Sequence, residues 1–520
     1  MANQLSSSGK YLHDRLRSLK QSSKRRQTGK IINVGGVGGV VSAAYEQLRN
    51  AAEYTQEHLL RQRAMRRFYG RNISFVLKKD VDKSIGEELI IELTQAGYIE
   101  NDSLTYDTVA VIYEKTKELH ATYWRLRDIG VDRVRAERWI LDALSVETEG
   151  LIDQDQQTKI FLQFAFMHYK ETLDKKRFIK EKSDNSQYEA SLYIAVHRSL
   201  LKSDLANVRA DLIQLYNTKP SATKSFRSFN ETVDEMFSSA LSDRLTKHIS
   251  KYGAPLRVLR SMTQETTNVP ELMDDKKRFL FAYESQVEHE YNKANVKLNN
   301  GLVKSIIFLL LTKSLIGLFI EIPYDIIVVG SIAVLPLIIN LLFPVVYLVV
   351  LRLGLKTPGT ANTKALVAYT DEMLYKDSER AVLHAKNRSE SYPLGYTVLF
   401  GLMFVITFAI VITLLINWDF NIVQGVIFFI FLATASFLGF RLSRIIRELE
   451  LVTTKSGMIA IIRDFLYFPF IVLGQKISER YEQINIVSQI LDTVIELPLK
   501  TVLRLLRQWS SFLNDQKDRL

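Results

Sequence analysis

An all-α integral membrane protein, with about four transmembrane helices and a large N-terminal helical cytoplasmic domain, is the fold this sequence predicts. Three observations carry the expectation. Residues 302–351 and 397–440 are long apolar blocks, and within the second neither Tyr396–Trp418 nor Asn421–Phe440 contains a charged side chain. At about 1.5 Å per residue, each stretch can cross a hydrocarbon core of about 30 Å. Helical spacing recurs across residues 45–300, where strand alternation is nearly absent. The short loops between apolar segments also sort by charge, as crossing segments require.

Residues 1–44 read as a basic flexible tail with a Gly-rich hinge. Through residue 45 the chain carries Lys10, Arg15, Arg17, Lys20, Lys24, Arg25, Arg26 and Lys30 against Asp14 alone, a net +7 of the whole chain's +11. Basicity confined to a tail suits anionic lipid headgroups, at about 1 kcal/mol per cation near the surface, and disfavours nucleic acid as the partner. The same Ser- and Arg-rich composition resembles an organellar transit peptide, the alternative to a retained cytoplasmic tail. The glycines at 35, 36, 38 and 39 fit neither a dinucleotide fingerprint nor a Walker loop.

Residues 45–252 predict a cytoplasmic helical domain, with helices near 42–69, 83–97, 104–128, 132–149, 155–182, 186–216 and 228–251 separated by breakers such as Gly130 and Pro220. Residues 253–300 read as a linker and a juxtamembrane helix that starts at Pro270. The first transmembrane hairpin spans 301–352, with crossings near 302–322 and 326–351 and a turn at Tyr324. Segment 353–396 is a cytoplasmic helical loop rich in cations, and 397–440 is the second hairpin. Arg441, Arg444 and Arg447 then line one helical edge as a stop signal and as further headgroup contacts. With four crossings every cation-rich segment falls on one side, so both termini face the cytoplasm of a cell membrane, or the matrix side of an organellar inner membrane.

Residues 441–520 predict cytoplasmic or interfacial amphipathic helices. The aromatic segment 457–474, split by Arg463 and Asp464, is too short to span and suits the interface, broken at Pro469, or a buried helix. An apolar stripe from Ile477 to Leu513 implies packing on the chain's own domain, a sister subunit or lipid.

Chemistry-bearing candidates are few. Lys313 sits in mid-crossing, where an ammonium costs about 2.5–3.5 kcal/mol on insertion scales. Counted from a turn at Tyr324 it lies level with Pro336, whose ring frees the carbonyl of Ile332. The expectation is that Lys313 caps that carbonyl or lines a wet cavity. Glu321 and Asp325 then stand at the outer mouth and Asn340 lies deeper; the alternative is a re-entrant hairpin with Lys313 near water. Cysteine is absent, which removes disulfides and thiolate chemistry. The histidines are scattered singly, and His289–Lys293 offers Lys293 where a zinc motif needs its second imidazole. Asp153 and Asp155 suit a helix cap, and the aromatic and basic run Tyr123–Trp139 suits a packed helical pair with surface ion pairs. No cofactor and no catalytic constellation is expected. The favoured reading is a membrane-tethered scaffold or assembly component that engages a protein partner or a second copy of itself. An oligomeric transporter or channel is the alternative, and a lipid-active membrane enzyme a second one.

Overall fold

A computed structural model describes residues 5–22, 30–34, 59–153, 155–179, 185–375, 394–452 and 458–484, with scattered positions in 39–46 and 498–516. Most of these residues are helical, and none belongs to a named strand. It divides into two compact units.

The first unit is built mainly from residues 7–249 together with 486–520. Its helices are α1 (Ser7–Ser22), α2 (Leu60–Asn72), α3 (Ile85–Gln95), α4 (Tyr106–Asp128), α5 (Arg133–Ile152), α6 (Gln156–Thr172), α7 (Asn185–Val196), α8 (Leu205–Leu215), α9 (Thr223–Phe237) and α10 (Ala240–Tyr252). The core joins Phe68 and Tyr69 of α2 to Leu89 of α3, Tyr123 of α4 and Trp139 of α5, all at most 1 % exposed. Gly130 ends the α4 turn at φ +83°, a backbone state that costs glycine nothing. Asp132, Asp155 and Asp204 cap α5, α6 and α8 by accepting the third residue's N–H.

Sequence periodicity overran three breaks. The stretch 186–216 is interrupted by a π turn over 197–201 and by Lys202 at φ 57°. The stretch 228–251 is two helices, and 155–182 ends as a helix at Thr172. The tail expected to be flexible is a helix over Ser7–Ser22: Leu12 and Leu16 are buried and α1 packs along α6. Its leucines at spacing four supply the apolar face that the charge count obscured. Arg15, Arg17 and Lys20 lie on its more exposed side, and Lys30 stands 5.6 Å over the Tyr106 ring. Lys24, Arg25, Arg26 and Gly35–Gly38 fall outside the described residues. Near the C-terminus, Lys500 bonds Ser42 and pairs with Glu46 and Glu92, so this end returns to its own domain.

The second unit holds α11 (Ala254–Glu265), α12 (Val269–Met273), α13 (Lys276–Val329), α14 (Val334–Gly354), α15 (Thr360–Tyr375), α16 (Leu394–Asn417), α17 (Ile422–Arg447) and α18 (Met458–Ile484). Four of these, α13, α14, α16 and α17, are long and apolar enough to span a bilayer. Their surface inverts that of a soluble protein. Ile327 is 80 % exposed and Ile422 83 %, while Lys313, Glu321, Asp325, Asn340 and Gln424 are buried. Lipid suits that arrangement, because apolar side chains cost nothing against acyl chains whereas charges do.

The expected linker 253–300 belongs to this unit: α11 and the first half of α13 pack together, Tyr283 donating to the Pro255 carbonyl at 3.0 Å. At this end Arg352 bonds Asn295 and Asn299, and Asn362 bonds Tyr291 and the Leu449 carbonyl. The loops 352–359 and 448–452 therefore share one flank. Arg444 and Arg447 lie there beside the Phe440 ring, both exposed, with Arg441 half-buried.

α18 continues through Pro469 rather than breaking there. Phe470 is buried with Leu415, Phe428 and Leu432 of the two preceding apolar helices. A Cβ at Gly474 would run into the Ala433 carbonyl oxygen. Only glycine permits so close a backbone approach, the small-residue packing familiar from membrane helix pairs. Over Phe470–Gly474 this helix is therefore packed on α17 rather than laid flat on a surface.

Candidate intramembrane polar site

The first hairpin turns later than its loop charges suggest. The α13 helix runs past Tyr324 to Val329 through two π turns, over Gly317–Glu321 and Asp325–Val329. The reversal comes at Gly330, φ +81°, with α14 starting at Val334. Glu321 and Asp325 thus lie inside the helix, buried at 1 % and 0 % exposure, and not at an outer mouth. A π turn inserts one extra residue and rotates everything beyond it. Eight residues of regular helix would leave Lys313 and Glu321 about 80° apart; with one residue absorbed they fall within about 20° of one face.

That rotation brings the two charges together. Lys313 Nζ donates to Glu321 Oε1, and its charge lies 5.0 Å from the centre of the Phe431 ring. Asn340 Nδ2 donates to the same Glu321 Oε1 at 3.1 Å and to the Gln424 carbonyl at 3.2 Å. Gln424 Nε2 in turn donates to Asp325 Oδ2 at 2.9 Å. Asn421 Nδ2 donates to Asp325 Oδ1 at 2.7 Å, and the Ala333 N–H reaches Oδ2 at 3.4 Å. One network therefore joins α13, α14 and α17 through Lys313, Glu321, Asn340, Gln424, Asp325 and Asn421.

Asp325 also faces the N-terminus of α17. Asn421 and Gln424 form a capping box there, each side chain bonding the other's backbone N–H. The carboxylate meets two amide donors and the positive end of a helix dipole, which compensates much of its desolvation.

Two of the sequence expectations fail in detail. Pro336 lies in the first turn of α14, where a missing N–H costs nothing, so it neither kinks a helix nor frees an intrahelical carbonyl. Lys313 accordingly bonds Glu321 rather than the Ile332 carbonyl, and it is buried at 2 % exposure. The proline that does interrupt α14 is Pro344. It lies one turn below Asn340 on the buried stripe Pro336, Asn340, Pro344, Leu348, and its missing N–H leaves the Asn340 carbonyl without its usual donor. Sequence reasoning also passed over Asn421 and Gln424. The signal was present, since an Asn three residues before a Gln at the head of an apolar run is a capping pattern.

The first unit gathers a second constellation. His197 Nδ1 is 3.2 Å from Ser203 Oγ, and its Nε2 is 3.4 Å from Asp211 Oδ2. The connectivity is that of a Ser–His–Asp relay, but burial pushes His197 down to about 3 and Asp211 up to about 6. A base that weak takes no proton from a serine near neutrality. The Tyr123–Trp139 run places Tyr123 and Trp139 in the core, with Arg133 and Arg135 at the surface near Glu137 and Glu231. Lys293 pairs with Glu265, so the His289 segment is a surface ion-pair cluster. Among the described residues, no group of three or more His, Cys, Asp or Glu side chains is placed to hold a metal ion.

No family model, curated protein or solved structure matches this chain.

Proposed function

We propose that this protein is a membrane-tethered scaffold or assembly component, with its four-helix unit as a rigid anchor and its helical domain as the partner-binding part. The observation that supports the reading is the consumption of intramembrane polar groups by one another. Lys313, Glu321, Asp325, Asn340 and Gln424 are each at most 2 % exposed, and the hydrogen bonds among them tie α13 to α14 and α17. A conduction pathway needs such groups to face water; an anchor needs them to fix helix register. The soluble domain meanwhile leaves Val76, Leu77 and Val134 more than half exposed, as contact surfaces do. Anionic headgroups are the second partner in this reading, met by Arg444 and Arg447 and by the exposed cations of α1.

The test uses the full chain in mild detergent. A scaffold retains a protein partner in stoichiometric amount, and Leu77→Asp or Val134→Asp removes it while the melting profile is kept. Ion or solute flux through wild-type proteoliposomes, abolished by Glu321→Gln, would instead establish the transporter reading.

A further inference from the structure

We propose that the membrane unit contains a binding site for one alkali-metal cation between Glu321 and Asn340. The starting point is a pair of unpartnered oxygens. Glu321 Oε2 and Asn340 Oδ1 have no hydrogen-bond partner among the described residues, although both side chains are at least 99 % buried. An acceptor left unpaired in such surroundings gives up its hydration with nothing in return, and a charged one gives up more. The two side chains touch through Asn340 Nδ2 and Glu321 Oε1, so the free oxygens belong to neighbouring groups on facing helices. The amide orientation is fixed by its surroundings: Nδ2 faces two acceptors, Glu321 Oε1 and the Gln424 carbonyl, which leaves Oδ1 as the free atom.

Charge selects the ligand. Lys313 contributes one positive charge to the network, and Glu321 and Asp325 contribute two negative ones. The buried sum is −1. A monovalent cation brings it to zero, whereas a divalent ion leaves it at +1. Asp325 is already served by Asn421, Gln424 and Ala333, so the unmet demand lies at Glu321. Its carboxylate can bridge, with the Lys313 ammonium on Oε1 and the ion on Oε2.

The backbone supplies the remaining hard ligands. Pro344 deprives the Asn340 carbonyl of its usual helical donor, which loosens the ladder of α14 next to the Asn340 side chain. The π turn over Gly317–Glu321 disturbs the ladder on the facing helix. Irregular helix that frees carbonyl oxygens beside a buried carboxylate is how membrane proteins hold desolvated Na⁺ or K⁺. Oxygen-only donors suit such ions and leave softer metals without a ligand.

The experiment measures melting of the full chain in detergent against NaCl, KCl and LiCl, with choline chloride holding ionic strength constant. The expected result is a midpoint that rises and saturates with one of the three ions, as ligand linkage requires. Asn340→Ala is expected to keep a cooperative transition in choline but lose the ion-dependent rise, and Glu321→Gln likewise. Equilibrium binding of ²²Na⁺ or ⁸⁶Rb⁺, matched to the ion that stabilises, should fall at least about tenfold in Asn340→Ala, the effect of about 1.4 kcal/mol. Identical melting of the wild type in all four salts would overturn the proposal and leave a bridging water as the occupant. A rise that persists in both variants would overturn it too, by placing the ion elsewhere. Neither outcome bears on whether the soluble domain binds a protein.

Discussion

Replacing Lys313 by Met isolates the interaction on which the membrane unit depends. The substitution keeps chain length and apolar volume but removes the ammonium, leaving Glu321 buried with Asn340 Nδ2 as its remaining donor. Breaking one side of a buried ion pair costs about 3–5 kcal/mol, because the surviving charge stays desolvated. For a cooperative unit of about 150–250 residues, the scale of this membrane unit, at about 2–4 °C per kcal/mol, the melting midpoint in detergent should fall by about 10 °C. The double variant Lys313→Met/Glu321→Met removes both charges and should recover most of that loss, since an apolar pair of similar volume is often neutral or better. The two single changes and the double one form a cycle whose coupling should exceed about 2 kcal/mol. The assay is thermal unfolding followed by size-exclusion of the surviving protein. A Lys313→Met variant that melts like the wild type, or a double variant no better than the single, would refute the buried pair.

Three further outcomes follow from other contacts. Gly474→Leu drives its side chain into the Ala433 carbonyl and Phe437, so α18 should detach from α17 and limited proteolysis of α18 should accelerate, with a destabilisation of about 3 kcal/mol or more. Arg209→Met strips the buried guanidinium from Asp142 and Asp234 and should cost the first unit about 3–5 kcal/mol in denaturant titration. Burial holds Asp211 up at about 6 against an ordinary 3.8, so folding favours its protonated form. The stabilisation that this brings is complete below 3.8 and gone above 6, where the buried carboxylate must ionise. Asp211→Asn should therefore be more stable than wild type at pH 7.5, by up to about 3 kcal/mol from the two-unit shift, and lose that advantage by pH 4. His197, held down at about 3, destabilises both proteins alike below its ordinary 6.5 and so cancels from the difference.

Much of this architecture is written in composition. The apolar blocks reveal the four spans because a water-soluble core seldom holds twenty consecutive residues without a charge, and Lys313 stands out because an ammonium there is expensive. What stays hidden depends on single residues whose effect is geometric. Two acids around Tyr324 look like a loop until π turns carry the helix to Gly330 and fold Glu321 back onto Lys313. Pro336 attracts notice and Pro344 does not, yet only the second lies past a first turn, a difference set by where α14 begins. α1 is obscured in the same way, its leucines being few among many cations although they bury against α6. The Lys500 ion pairs with Glu46 and Glu92 join residues hundreds apart, and no local pattern encodes such a contact.

The central claim is that α13, α14, α16 and α17 cross the bilayer, with their connecting turns on one side and the loops beside Asn362 on the other. The absence of native cysteine makes single-cysteine labelling a clean probe. Cysteines at Ser331 and Asn417 should react with an impermeant maleimide from one face of intact vesicles, and cysteines at Ser18 and Ala361 only after the vesicles are opened, or the converse in inverted vesicles. Labelling of Ser331 and Ala361 from the same face would contradict it.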